Sequence, residues 1–239
     1  MLYINNFSKS YDGKNKAVDN LNLHVNKGEI FGFIGHNGAG KSTTIKSITG
    51  IIDFEEGDII ISGKSIKHNP YECKKRMAYI PDNPNLYEYL TAMDYLHFVG
   101  NVYGMDFIDC SNQIKKYAEV FEIEKKLNST ISSFSHGMKQ KVAIIAALIH
   151  RPELLVMDEP FVGLDPRAAF SLKTIMKEMC KEGSTIFFSS HVLEVVEKIC
   201  TRVGMINKGR LVKCGRVDEL TKELSLENIF MEELNRDEK

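Results

Sequence analysis

The sequence predicts an α/β fold built on a parallel β-sheet that is covered by helices on both faces. After residue 153, apolar strand patterns alternate with helical patterns, as in sheets whose parallel strands are joined by helices. Before residue 82, short strand patterns and turn residues dominate, and from about 85 to 150 the pattern is helical. One domain with a helical insertion in its middle accounts for these observations.

The first third of the chain contains short strand patterns. These segments are rich in β-branched and aromatic residues and are separated by turn residues. Asp12 and Gly13 form a strong hairpin signal between the first two segments. The predicted strands are residues 2–8, 17–25, 29–35, 57–63 and 77–80.

The middle of the chain contains helix starts and helical spacing. Thr91 and Asp94 have the spacing of a capping box in front of the apolar positions of residues 95–103. Residues 114–123 have helical spacing as well. Ser135 is a good N-cap for a helix that continues into a long apolar run.

The last third alternates between the two patterns and ends in a short amphipathic segment. The predicted strands are residues 153–158, 184–190 and 202–207, and the predicted helices are residues 167–181 and 191–199. The apolar residues at helical spacing in the tail are Leu226, Ile229, Phe230 and Leu234. The spacing leaves open whether the tail packs on this domain or on a partner.

Composition and charge exclude several classes of protein. The 239 residues are 43% hydrophobic and 26% charged, which is typical of a globular protein with a buried core. A net charge of −1 argues against nucleic acid as a partner. Five scattered cysteines without a C-x-x-C pair argue against a disulfide framework or a zinc site and favour a reducing compartment.

The sequence contains neither a signal-peptide pattern nor a pattern of membrane insertion. Its start lacks the charged-then-apolar profile of a signal peptide. The longest purely apolar run is residues 142–149, whereas a membrane-spanning helix needs about 20 residues. We therefore expect a cytoplasmic protein that reaches a membrane only through a partner.

A phosphate-binding loop is the strongest motif. GHNGAGKS, residues 35–42, matches G-x-x-x-x-G-K-[ST], follows an apolar strand and precedes a helical pattern. Its glycines let the backbone wrap a phosphate with N–H groups pointing inward at a helix N-terminus. Lys41 is expected to reach the β- and γ-phosphates of ATP, and the Ser42 hydroxyl to ligate Mg²⁺. The candidate loop residues are Gly35, His36, Asn37, Gly38, Ala39, Gly40, Lys41, Ser42 and Thr43.

Two carboxylates and a histidine follow later strands. Asp158 and Glu159 end an apolar strand, where ligands of parallel sheets bind. We expect Asp158 to hold Mg²⁺ and Glu159 to orient or deprotonate the attacking water. His191 follows another strand and can donate a hydrogen bond to the γ-phosphate. A loop start for the carboxylates and a helix cap for His191 are the alternatives.

These segments together resemble a known family. GHNGAGKST, FSHGMKQK, LLVMDEP, GLDP and SSH occur in this order and resemble the ATP-binding subunit of ABC transporters, from Tyr11 to about residue 215. The resemblance implies a P-loop ATPase core with a parallel sheet, an antiparallel β-subdomain and an inserted helical subdomain. Applied to the single domain 1–239, the core with the β-subdomain falls at about 1–82 and 151–215, the helical subdomain at about 83–150, and a tail at about 216–239.

The resemblance also implies a role for the segment FSHGMKQK. Ser135 and Gly137 occupy the positions of the signature motif that closes over the γ-phosphate of ATP held by a second protomer. Phe134, His136 and Met138 depart from the usual leucine, glycine and glutamine. The form Ser-x-Gly-Met-Lys-Gln resembles a subgroup rich in exporters. A plain N-cap role for Ser135 is the alternative.

Three further residues take roles from the resemblance. Tyr11 resembles the residue that stacks on adenine, although it could be an ordinary strand residue. Asp82 stands where the family commonly has a glutamine that touches Mg²⁺ and the membrane partner, and its alternative is a turn aspartate. Asp165 resembles the residue that crosses the dimer interface, and its alternative is a helix cap before Pro166.

The implied function is ATP hydrolysis that powers transport by a separately encoded membrane-spanning permease, in the direction of export. The implied assembly is a homodimer, held peripherally on the inner face of the cell membrane by the permease. Tyr87 and Tyr89 are expected to be exposed beside a groove that receives a permease helix. A soluble ABC-type ATPase that acts on the ribosome or DNA is the alternative.

Overall fold

The computed structural model describes the backbone of residues 1–236 and the side chains of residues 1–233, so positions 237–239 of the predicted tail and the side chain of Leu234 lie outside the described residues. The strands in this range are β1 (Leu2–Ser10), β2 (Lys16–Val25), β3 (Ile30–Ile34), β4 (Glu56–Ile61), β5 (Lys64–Ser65), β6 (Met77–Ile80), β7 (Leu154–Asp158), β8 (Thr185–Ser190), β9 (Arg202–Asn207) and β10 (Arg210–Arg216). The helices are α1 (Lys41–Ile48), α2 (Pro70–Arg76), α3 (Ala92–Val102), α4 (Phe107–Phe121), α5 (His136–Leu148), α6 (Pro166–Lys181), α7 (Leu193–Ile199), α8 (Val217–Leu220) and α9 (Leu226–Arg236).

The central sheet has the strand order β10-β9-β3-β8-β7-β6, and all neighbours are parallel except β10 and β9. Every residue of β3, β7 and β8 is buried, as expected for apolar strands covered on both faces. These three strands are adjacent, so their carboxyl ends meet at one edge of the sheet. The predicted α/β fold is confirmed.

A second sheet is antiparallel and has the order β2-β1-β4-β5. The predicted hairpin between β1 and β2 is confirmed, because the Asp12 carboxylate accepts the backbone N–H groups of Lys14 (2.9 Å) and Asn15 (2.7 Å) and so closes the turn. The strand predicted at residues 77–80 is confirmed, but it does not belong to this antiparallel sheet. That segment forms β6 and pairs in parallel with β7 in the central sheet.

The helices α3, α4 and α5 lie between β6 and β7 in the chain. Thr91 caps α3 as predicted, because its hydroxyl accepts the N–H of Asp94 at 3.1 Å. Ser135 caps α5 in the same way and accepts the N–H of Met138 at 3.3 Å. The sequence patterns missed α2 and α8. The assignment of these parts to one domain with stated boundaries stays a prediction.

The tail packs on this domain. Leu226 and Ile229 on α9 are buried in the core that also contains Val196 and Ile199 of α7. The N–H of Leu226 donates to the Glu197 carboxylate at 3.2 Å. Within residues 1–236, no helix combines the length and the apolar character needed to cross a membrane.

Candidate active site

The loop between β3 and α1 forms the floor of a cleft at the carboxyl end of the central sheet. Gly40 precedes α1 with φ = 111°, a conformation that strongly favours glycine. A β-carbon at this position would lie 2.7 Å from the carbonyl oxygen of Ala17. The loop therefore runs too close to β2 for any side chain at position 40.

Lys41 is held inside this loop. Its ammonium group donates hydrogen bonds to the carbonyl oxygens of Gly35 (2.6 Å) and His36 (3.2 Å) and is mostly buried. Burial lowers the pKa of Lys41, against the smaller opposite effect of Glu159 and Asp158. A cation that is already desolvated and held in place can stabilise a bound phosphate strongly.

Ser189 on β8 fixes both carboxylate residues at the end of β7. Its hydroxyl donates to the buried Asp158 carboxylate at 2.5 Å and accepts the backbone N–H of Glu159 at 3.1 Å. Glu159 has φ = 47°, an uncommon conformation for a residue with a side chain. Such strain is found where a tightly held turn directs a functional side chain.

His191 contacts Glu159 through two groups. Nδ1 of His191 lies 2.9 Å from Oε2 of Glu159, and the backbone N–H of His191 donates to the same oxygen at 3.3 Å. The His191 side chain is 57% exposed and that of Glu159 is 16% exposed. This arrangement provides a carboxylate that can accept a proton from water. Because Nδ1–H of His191 donates to that carboxylate, Nε2 can donate to an anion only when the ring is protonated.

The cleft has a volume of about 260 Å³ and brings most of the predicted loop and metal residues together. It is lined by Ala17, His36, Asn37, Gly38, Gly40, Lys41, Ser42, Thr43, Asp82, Asp158 and Glu159. Of the remaining predicted loop residues, Gly35 contributes its carbonyl to Lys41, and Ala39 is buried. Ala17 was missed, because a small residue in β2 carries no sequence signal of binding.

Tyr11 lies beside the cleft. Its hydroxyl oxygen is 3.3 Å from the hydroxyl oxygen of Thr43, and the side chain is 65% exposed. The ring is therefore accessible beside Thr43 of the phosphate loop. Stacking on a nucleotide base would require this position.

Ser135, Gly137 and Asp165 lie outside the cleft, in a patch that we call the signature patch (residues 135–137 and 163–165). A β-carbon on Gly137 would lie 2.8 Å from the carbonyl oxygen of Gly163, so the two segments approach at backbone distance. Lys141 pairs with Asp165 at 2.7 Å. The hydrogen bond from Lys141 lowers the pKa of Asp165, and the backbone N–H of Ala168 lowers it further.

An apolar groove of about 270 Å³ lies between the end of β6 and the helices α3 and α5. Its lining includes Tyr79, Phe98, Val102, Tyr103, Ala143, Ala147 and His150. Tyr87 and Tyr89, expected to be exposed, are 48% and 77% exposed. They do not line the groove themselves, but the Tyr87 ring lies 5.7 Å from the ring of Phe98.

The fold and the cleft define a P-loop nucleotide-binding protein, with the phosphate loop, two carboxylates and a histidine at adjacent strand ends. Residues 18–162 match the family model described as ABC transporter. The chain belongs to the ATP-binding subunits of the ABC transporter family and is an ATPase that binds ATP.

Two relatives have names that refer to resistance or to transport. The chain is 36% identical to the linearmycin resistance ATP-binding protein LnrL of Bacillus subtilis, over 96% of this chain and 74% of the relative. It is 38% identical to the bacitracin transport ATP-binding protein BcrA of Bacillus licheniformis, over 88% of this chain and 68% of the relative.

Solved structures support the same fold. An ATP-binding subunit of an ABC transporter superposes with a TM-score of 0.94 and 33% identity, over 98% of this chain and 99% of that chain. A dimeric ATP-binding cassette with bound ADP and phosphate superposes with a TM-score of 0.83 and 22% identity, over 91% of this chain and 99% of that chain.

Proposed function

We propose that this chain hydrolyses ATP to power export by a separately encoded membrane-spanning permease, as a homodimer. The observation that carries the proposal is the separation of two features on one chain. The phosphate cleft holds Lys41 and Glu159, whereas the exposed Ser135 lies outside that cleft. We infer that a second chain brings its signature patch to the ATP, as the family resemblance implies. The names of LnrL and BcrA, which refer to resistance and to transport, support export.

Within one chain, we assign Lys41 to the phosphates, Glu159 to the attacking water and His191 to the γ-phosphate. Tyr11 stacks on the adenine. Hydroxyl and carboxylate oxygens are the donors that Mg²⁺ prefers. Ser42 and Asp158, with Asp82 in the same cleft, would hold Mg²⁺, which would offset the negative charge of the phosphates.

Between chains, we assign the signature patch of one chain to contact the ATP that is bound in the cleft of its partner. The first turn of α5 presents backbone N–H groups at a helix N-terminus, which attracts anions. Ser135 and Gly137 face the γ-phosphate there, and Asp165 crosses the interface. The Lys141–Asp165 ion pair and the close approach of Gly137 to Gly163 keep the two halves of the patch together.

The apolar groove is the site that we assign to the permease. It combines an alanine-rich floor on α5 with aromatic walls, which suits a short helix with apolar side chains. Docking there would hold the chain on the cytoplasmic face of the membrane.

Affinity capture from detergent-solubilised membranes of the source cells tests this function. The wild-type chain should recover a protein with membrane-spanning segments, identified by mass spectrometry. Phe98→Glu, at a groove residue that is 45% exposed, should lose it, and Phe170→Glu, at a residue on α6 that is 71% exposed, should retain it. Recovery of ribosomal proteins, or of nucleic acid, by all three proteins would instead favour the soluble ABC-type ATPase.

A further inference from the structure

The turn between β9 and β10 lies against the phosphate loop, although no motif includes it. The buried side-chain amide of Asn207 lies 2.8 Å from Nε2 of His36. The backbone N–H of Gly209 donates to the carbonyl oxygen of Ala39 at 2.9 Å. Two residues of the turn thus contact two residues of the loop.

His36 connects the turn to the loop backbone. Its Nδ1 lies 2.6 Å from the carbonyl oxygen of Asn37, and its Nε2 faces Asn207. Both partners are oxygen atoms, the carbonyl oxygen of Asn37 and Oδ1 of Asn207, so each ring nitrogen donates to its partner when it carries a proton.

These contacts determine which way two peptide units of the loop face. In a trans peptide, the carbonyl and the following N–H point to opposite sides. Holding the carbonyl oxygens of Asn37 and Ala39 from outside therefore turns the N–H groups of Gly38 and Gly40 the other way. Gly38 and Gly40 line the cleft.

We propose that His36 and Asn207 form a brace that presets the phosphate loop before ATP binds, with Asn207 acting as a positioning residue. The proposal rests on the assignment of the loop to the phosphates of ATP. The same turn also contacts β2, because the N–H of Asp19 donates to the carbonyl oxygen of Gly209 at 2.9 Å. The brace is thereby anchored outside the loop that it holds.

The test compares His36→Ala, Asn207→Leu and the double variant. Each also carries Glu159→Gln, and equilibrium titration measures its affinity for ATP. Each single change should weaken ATP affinity by roughly 2- to 12-fold, the range for one net hydrogen bond. The double variant should lose no more affinity than His36→Ala alone, because that change already removes the contact with Asn207. Affinity for adenosine, which has no phosphate, should not change. With Glu159 intact, KM should rise more than kcat falls.

Arg210→Ala is the matched control, because Arg210 adjoins the turn as the first residue of β10 but pairs with the Asp19 carboxylate at 2.6 Å. It should leave ATP affinity unchanged. His36 is exposed, so His36→Ala keeps the test valid if Asn207→Leu unfolds the chain.

Three results would overturn the brace: unchanged ATP affinity in both single variants, losses that multiply in the double variant, or an equal loss of adenosine affinity. Lys41→Ala distinguishes a failure of the loop assignment from a failure of the brace. If Lys41→Ala binds ATP normally, the assignment of the loop itself fails. If Lys41→Ala loses ATP while the His36 and Asn207 variants bind normally, only the brace fails.

Discussion

Nδ1 of His191 lies 2.9 Å from Oε2 of Glu159, and the backbone N–H of His191 donates to the same oxygen. The two residues are 32 positions apart and follow adjacent parallel strands. Two donors on one carboxylate oxygen restrict rotation of the Glu159 side chain. His191 therefore positions the proposed base.

Glu159→Gln should bind ATP but hydrolyse it at least about 100-fold more slowly, since a positioned base contributes about 10²–10⁴-fold. The amide keeps the shape of the side chain but cannot accept the proton of water. Phosphate release measures turnover, and equilibrium titration measures binding. Lys41→Ala is the companion variant and should weaken binding itself. Turnover close to that of the wild type in Glu159→Gln would refute the assignment.

Tyr11→Ala should weaken ATP affinity roughly tenfold, because stacking of a base on an aromatic ring is worth about 1–3 kcal/mol. Tyr11→Phe keeps the ring and loses only the contact with Thr43, so its affinity should stay close to that of the wild type. Equilibrium titration of the three proteins measures the difference. Equal affinities would exclude stacking.

Ser135→Arg in the Glu159→Gln background should abolish the ATP-dependent dimer and leave ATP binding by the monomer intact. The change places a bulky cation on the exposed signature patch, outside the cleft of its own chain. Size-exclusion chromatography with ATP measures the dimer. Thr174→Arg, at an exposed position of α6, is the matched control and should dimerise. If the Ser135→Arg variant still forms the ATP-dependent dimer, the role of Ser135 is limited to capping α5.

The free energy of unfolding should fall as pH falls from 6.5 towards 4, owing to His150. Burial lowers the pKa of His150 from 6.5 to about 4, against the smaller opposite effect of the Met77 and Ala146 carbonyl groups. Between these values the unfolded chain binds a proton that the folded chain does not, so acid favours unfolding. The loss between pH 7.5 and 5 should be about 2 kcal/mol.

Urea denaturation of the wild type and His150→Phe at both pH values checks this dependence. Phenylalanine keeps an aromatic ring against Tyr103, whose centroid lies 3.5 Å from that of His150, and removes the titration. The pH-dependent loss should therefore be smaller in the variant. An equal loss in both proteins would assign the acid sensitivity to other groups.

Much of the site could be predicted because its residues stand in short motifs at strand ends. The spacing of glycines and Lys41, the pair Asp158–Glu159 and the position of His191 each indicate phosphate chemistry, and adjacent parallel strands bring them together. Ala17 could not be predicted in this way, because its place in the cleft depends on how β2 lies against the phosphate loop.

Spacing along the chain was sufficient to predict the α/β class and an ATPase, since motifs and helix caps act between near neighbours. Only the packing of distant segments established that β6 joins β7 and that α9 packs on α7. It also brought Asn207 to His36, across 171 residues. Such contacts follow from strand order and from the burial of whole faces, which involve the entire chain at once.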